Sequence, residues 1–153
     1  MKSPFQTIIH FLDNNNIHYE LVEHEPVYTS EQAADVRGIS IEQGAKSLLL
    51  KTDDTFTLCV LPGNKRLDTK KLKRLLGVKN ARFATAEEVK EIMGCQIGAC
   101  YPFGNLINIR MLVDAALGNN HTLSFNPGVH DKSIKMQWTD YQKATGINTV
   151  DIT

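Results

Sequence analysis

In the run GACYPFG, Gly98 and Pro102 bracket Ala99, Cys100 and Tyr101. A cysteine attacks a carbonyl only as thiolate, and it needs a base, usually histidine, within hydrogen-bond reach. The chain has five histidines, His10, His18, His24, His121 and His130, and its sequence places none of them beside Cys100. No known local signature of a cysteine hydrolase surrounds Cys100 either. Zinc is a poorer reading, because Cys95 and Cys100 lack a second Cys/His pair at ligand spacing. The loop backbone offers other chemistry. Gly98 permits a positive φ and close approach to its amide, while Pro102 fixes the chain's direction. Such a turn can present successive N–H groups to an oxyanion. A plain structural turn uses the same residues, so the loop alone decides nothing.

Lys46 is the second candidate. It follows Gly44-Ala45 and opens the apolar run SLLLK. It either snorkels from a strand to water or holds an ammonium at a pocket mouth against an anionic or polarised oxygen. His24 and Glu25 make a weak acid–base pair, because neighbouring strand residues face opposite ways. Cys59 lies in an apolar strand pattern and reads as core packing.

The elements that must position these residues are legible from local signals. A helix is expected over Pro4–Leu12, capped by Ser3, with Phe5, Ile8, Ile9 and Leu12 on one face. Residues 18–24 alternate as a strand. Capping boxes at Thr29/Gln32, Thr85/Glu88 and Thr139/Gln142 open three further helices, and Asp68 caps another whose Leu72, Leu75 and Leu76 face inward. Strands KSLLLKTD and FTLCVLP form a hairpin about Asp53 and Asp54. INIRMLVD alternates as a half-buried strand from Ile107, and HTLSFN pairs with SIKMQW across Pro127-Gly128. Short strand connections mixed with helices predict an α+β fold. The expected architecture is one domain over residues 1–153, a mixed, mostly antiparallel sheet with helices packed around it.

Length and composition fit a single core: 153 residues, 42% hydrophobic and 22% charged. The longest apolar runs fall well short of the roughly 20 residues that span a bilayer, and the N-terminal stretch lacks a signal-peptide core, so a cytoplasmic protein is expected. Net charge is zero, but its distribution is uneven. Lys65, Arg66, Lys70, Lys71, Lys73, Arg74, Lys79 and Arg82 gather within one segment, opposed there by Asp68 alone. Lys70, Lys71 and Arg74, on the helix that Asp68 caps, are the residues expected to meet the backbone phosphates of a nucleic-acid partner.

HEPVYTSEQAADVRG, GAKSLLLK, VLPGNKRLDTKKLKRLLG, ATAEEVKEIMGCQIGACYPFG, VDAAL and FNPGVHDKSIKM follow one another in order. Together they closely resemble the YbaK-type aminoacyl-tRNA deacylases, related to the editing domain inserted in bacterial prolyl-tRNA synthetases. The resemblance spans residues 4–145. It implies a free-standing trans-editing hydrolase that safeguards translation fidelity by cleaving the ester of a small amino acid mischarged on tRNA, above all proline tRNA. The family's essential strand lysine falls on Lys46 and its GxxxP loop on Gly98–Pro102, which makes Lys46 and Gly98 the catalytic candidates. Tyr28, Thr29, Ser47, Ala99, Cys100, Tyr101 and Pro102 are the substrate-binding candidates, and Cys100 occupies a slot without an assigned chemical role. Ser47 stands where alanine-editing relatives tend to carry asparagine, a departure that bears on specificity. The resemblance implies no metal or other cofactor and no DNA or membrane partner. Aminoacyl-tRNA is the partner it implies, and it admits a prolyl-tRNA synthetase as a second. The competing reading is a non-catalytic tRNA- or partner-binding module of the same fold.

Overall fold

Helix starts are fixed by reciprocal side-chain caps. In a computed structural model, which describes residues 2–153, α1 (Pro4–Asn14) begins where the Ser3 hydroxyl accepts from the Gln6 amide and the Gln6 side chain accepts from the Ser3 amide. Thr29 and Gln32 do the same for α2 (Ser30–Arg37), and Thr85 and Glu88 for α4 (Ala86–Met93). The Asp68 carboxylate accepts from the Lys70 and Lys71 amides to start α3 (Thr69–Leu76). Each such cap satisfies donors that the first helical turn leaves unpaired.

The last helix departs from expectation. No Thr139/Gln142 box forms, because α5 (Trp138–Thr145) starts directly at the end of a strand with Gln137 at its cap and no side-chain cap bond. The Trp138 amide donates to the His121 carbonyl at 2.8 Å instead, so Thr139 is already helical.

Two sheets form where one was expected. β2 (Ala45–Thr52) and β3 (Thr55–Pro62) make the hairpin, with Lys46 opposite Leu61. β4 (Ala81–Phe83) pairs antiparallel with the far end of β2, while β5 (Arg110–Asp114) runs parallel to β3 and β8 (Thr149–Val150) parallel to β5. The order is β4-β2-β3-β5-β8. A second, antiparallel sheet has the order β1-β7-β6, from β1 (Tyr19–Glu23), β7 (Lys132–Gln137) and β6 (Thr122–Phe125). A single bridge, Gly44 to Ser124, links the two. The class is α+β.

β5 is shorter than its alternation suggests. The Ile107 and Ile109 amides both donate to the Gly104 carbonyl and Asn108 has φ +56°, so the chain turns there. Ile107 and Ile109 pack on the core all the same, which is why the sequence pattern runs on past the strand.

The larger core lies among both sheets, α1, α4 and α5. At its centre the Phe103 ring meets Phe125, Tyr141 and Phe11 edge-on at 5.3, 5.6 and 5.9 Å. A smaller cluster of Leu50, Cys59, Leu61, Leu72 and Ile152 underlies α3. Cys59 is core packing, as expected. Leu72 is fully buried but Leu75 is 50% exposed, not inward-facing, since α3 is only two turns long and nothing covers its flank. Leu72→Ala should therefore cost about 2–5 kcal/mol, whereas Leu75→Ala should change stability by no more than about 0.5 kcal/mol. Urea denaturation of both variants checks the assignment.

Candidate active site

The start of β2 forms one wall of a cavity of about 320 Å³. Lys46, Ser47, Tyr28, Thr29, Gly98 and Cys100 all line it. Thus the structure brings the strand lysine and the loop glycine, 52 positions apart (98 − 46) in the sequence, to one site. Ala99, Tyr101 and Pro102 do not line it; they lie buried behind the loop and hold it.

Lys46 is half-buried, and Nζ donates to the Gly63 carbonyl at 3.3 Å. β4 pairs with β2 only over Leu50–Thr52, so the strand's outer side is open at Lys46. Burial holds the Lys46 ammonium below the usual lysine range; the field of Glu31 partly offsets this and that of Arg66 adds to it. Among the described residues Lys46 forms no ion pair. A weakly solvated cation without a carboxylate is poised for an anionic or polarised group.

Gly98 has φ +91°, a conformation in which any side chain is strained. A Cβ there would lie 3.3 Å from His130 Cε1. The turn around Gly98 is fixed from behind: Ala99 N–H donates to Gln96 O and Gly128 N–H to Ala99 O, both at 3.0 Å. The Tyr101 hydroxyl donates to the Met93 carbonyl at 2.8 Å and the Tyr141 hydroxyl to the Pro102 carbonyl at 2.7 Å.

No histidine hydrogen-bonds Cys100. His24 instead bridges the Glu25 carbonyl and the Ser133 hydroxyl, each at 2.7 Å, which is structural work. The hydrogen-bond partner of the Cys100 sulfur is Cys95 Sγ, at 3.8 Å. Among the described residues no three His, Cys, Asp or Glu side chains converge as a metal site would require.

Two side chains at the site escaped the sequence reading. His130 stacks on the exposed Tyr28 ring at 4.6 Å, and its Nδ1–H donates to the Val27 carbonyl at 3.0 Å. Arg37 lines the cavity and ties α2 to the second sheet, donating to Ser133 Oγ (2.8 Å), Ser124 O (3.3 Å) and Asn126 Oδ1 (3.2 Å). Burial pushes its pKa down to about 10. In the sequence Arg37 stands only as one residue of the run HEPVYTSEQAADVRG, with nothing to mark it as part of a site.

Residues 24–144 match the aminoacyl-tRNA editing domain family. The chain belongs to that family. The multifunctional Ser/Thr-tRNA deacylase ProXp-y of Escherichia coli (strain K12) is 30% identical over 141 residues, covering 89% of this chain and 84% of the relative. The prolyl-tRNA editing protein ProX of Acetoanaerobium sticklandii is 25% identical, with 94% of this chain and 91% of that protein covered. A proline–tRNA ligase of Thermosipho melanesiensis is 31% identical over 116 residues, 76% of this chain but 20% of the ligase. The solved structure of a proposed trans-editing enzyme for prolyl tRNA synthetase superposes with a TM-score of 0.88 at 25% identity, covering 100% of this chain and 98% of that one.

In this editing domain the Gly98 conformation is the most exacting local demand of the site. Gly98→Ala should lower stability by about 1–3 kcal/mol through backbone strain and shift the His130 Cε1–H resonance. Denaturant titration and the NMR spectrum of the variant report both. Wild-type stability with an unmoved His130 would mean that the loop does not adopt this turn.

Proposed function

We propose that the protein is a free-standing aminoacyl-tRNA deacylase acting in trans, which cleaves the ester joining a small, wrongly attached amino acid to tRNA, proline tRNA foremost. The observation that carries this reading is that Lys46, which forms no ion pair among the described residues, and the Gly98 turn line one small cavity. Ester hydrolysis passes through a tetrahedral oxyanion, and preorganised amide donors supply its largest stabilisation. Ala99 N–H is taken by Gln96 O, so the Gly98 and Cys100 amides are the donors for that oxyanion, while the Lys46 ammonium anchors the acceptor end or the ester. The attacking group is water or a hydroxyl or thiol of the substrate itself, since Cys100 has no base beside it.

The cavity, about 320 Å³, is at the small end for ligand sites, which favours a small aminoacyl group. Ser47 Oγ is buried there and, among the described residues, has no hydrogen-bond partner. Such a group costs free energy until a polar partner arrives. A serine or threonine hydroxyl, or a cysteine thiol, would fill that need, in keeping with the named substrates of the E. coli relative. The mischarged tRNA would come from a synthetase, prolyl-tRNA synthetase foremost. Incubation with tRNAs charged with alanine, cysteine, serine, threonine or proline, following ester loss, tests the activity and ranks its substrates.

Lys46→Ala and Lys46→Arg should both be nearly inactive, because a planar fork does not replace a point charge. Gly98→Ala should slow deacylation by about 10²–10³-fold, and Cys100→Ala far less. The reverse ranking of the last two would make the cysteine the nucleophile and sink the backbone reading.

tRNA is held by the basic segment, we infer, with one revision to the residues involved. The Lys71 ammonium is bound by the Asp151 carboxylate at 3.1 Å and the Thr153 carbonyl at 2.7 Å, and Arg82 pairs with Glu88 at 2.8 Å. Lys70 and Arg74 are exposed and, among the described residues, form no ion pair. Replacing both with alanine should weaken tRNA binding and flatten its salt dependence by roughly 0.7–0.9 per lost phosphate contact. Adding Lys71→Ala should change the slope little. Filter binding across a salt series gives the slopes, and an unaltered slope in the double variant would leave α3 as a merely solvated helix.

A further inference from the structure

Two thiols meet beneath the Gly98 turn. Cys95 directly follows Gly94 at the end of α4, and Cys100 follows the turn itself; both are free and buried, with their sulfurs 3.8 Å apart. Cys95 S–H donates to Cys100 Sγ. That bond, with help from the Gly98 and Cys100 amides, holds Cys100 below the usual thiol range, and it pushes Cys95 up. Cys100 also lines the cavity whereas Cys95 does not. A small oxidant entering the cavity therefore meets the more thiolate-like sulfur first, with a second thiol waiting behind it. Cys59 differs on every count: it lies in the smaller core, has no sulfur partner, and burial pushes it up to about 12.

We propose that Cys95 and Cys100 are a peroxide-oxidisable dithiol whose disulfide switches off the adjacent site. The Cys100 thiolate attacks one oxygen of hydrogen peroxide; the S–O bond forms, the O–O bond breaks, and the departing hydroxide takes a proton to become water. The Cys95 thiol then attacks the sulfenic sulfur. The S–S bond forms, the S–O bond breaks, and the second hydroxide leaves as water with the Cys95 proton. Two thiols have been oxidised and one peroxide reduced, and a dithiol reductant reverses the change by exchange.

Closure has a geometric consequence. A disulfide needs the sulfurs at about 2.05 Å, so they must approach from 3.8 Å, and we infer that the short chain between them takes up part of that shift. That chain is Gln96–Ala99, which contains Gly98. Its C-terminal side is pinned through Ala99 O, Tyr101 and the Pro102 carbonyl, so residues 96–98 must give. A displacement near 1 Å at a reacting centre costs on the order of 10²-fold in rate.

The test oxidises the fully reduced chain with a modest excess of hydrogen peroxide. Both cysteines fall in one tryptic peptide, Glu91–Arg110, which should become lighter by two hydrogen atoms and resist alkylation, while Cys59 stays alkylatable after denaturation. The His130 Cε1–H resonance should shift. Deacylation of a mischarged tRNA should fall by about 10²-fold and return with dithiothreitol. In Cys95→Ala the basal rate should be unchanged, but without a resolving thiol peroxide should carry Cys100 past the sulfenic acid to the sulfinic acid, a gain of two oxygen atoms and a loss of rate that dithiothreitol does not restore. Two free thiols remaining in Glu91–Arg110 after peroxide would overturn the proposal. So would a cross-link that leaves His130 and the rate unmoved. The rate readout rests on the deacylase function proposed above, but the peptide mass and the resonance do not. A chain that cross-links and shifts His130 without ever deacylating tRNA would refute that function and uphold the dithiol.

Discussion

The molecule depends most on how its core grips the segment from Gly98 to Phe103. Buried phenol groups must find acceptors, and the two nearest this segment find them in main-chain carbonyls. Tyr101 reaches back to Met93 at the end of α4, and Tyr141 reaches across from α5 to Pro102. Phe103 then drives its ring among Phe11, Phe125 and Tyr141. Three helices and the second sheet thus converge on six consecutive residues. A loop so restrained can hold Gly98 at φ +91°, a turn that would relax were it free. Preorganisation of this kind is what allows backbone amides to stabilise charge without reorganising when the charge appears.

Two cations line the same cavity. Lys46 and Arg37 are both partly removed from water, and among the described residues neither is paired with a carboxylate. Burying a cation is unfavourable, and here the cost falls in the one cavity where an anionic or polarised substrate would offset it. Arg37 spends three donors on neutral oxygens that join α2 to the second sheet. It therefore positions the wall as much as it charges it. Lys46 has a single carbonyl contact at 3.3 Å, which leaves its ammonium free to exchange partners. The two cations are thus suited to different work, one to holding shape and the other to meeting substrate.

What could be read from the sequence followed the range of the interaction. Caps at Ser3, Thr29, Asp68 and Thr85 act within one helical turn, so a short window contains both partners, and the β2–β3 hairpin likewise joins neighbours. The misses all involve distant partners. Thr139 looks like a cap until β7 is seen to run straight into α5. Leu75 fits an inward face until α3 is found to lack a cover on that side. β8 has two residues, too few for any alternation, and is held in place by Ile152 N–H donating to Asp114 Oδ1 at 3.0 Å. At the site, resemblance nominated Lys46 and the Gly98 turn, but it left out His130 and Arg37. His130 reaches Gly98 only because the turn between β6 and β7 folds over the loop, and no local pattern encodes that approach.

The arrangement separates the demands of reaction from those of choice. In the function proposed above, Lys46 and the Gly98 turn would face a group common to every aminoacyl ester, so neither would discriminate one amino acid from another. Discrimination would then come from the rest of the cavity lining, where Ser47, whose hydroxyl has no hydrogen-bond partner among the described residues, Cys100 and Tyr28 stand among mostly apolar side chains. A pocket that leaves a polar atom unsatisfied penalises substrates that cannot pair with it more strongly than an apolar pocket penalises an extra methylene. Ser47 is therefore the side chain through which this fold can change its preferred amino acid without touching the groups that act on the ester. The field of Arg66, in the basic segment, acts on Lys46. In the tRNA complex proposed above, phosphates drawn to α3 would be attracted to this part of the molecule. A protein of zero net charge can guide a polyanion in this way because the steering field depends on where the charges lie and not on their sum.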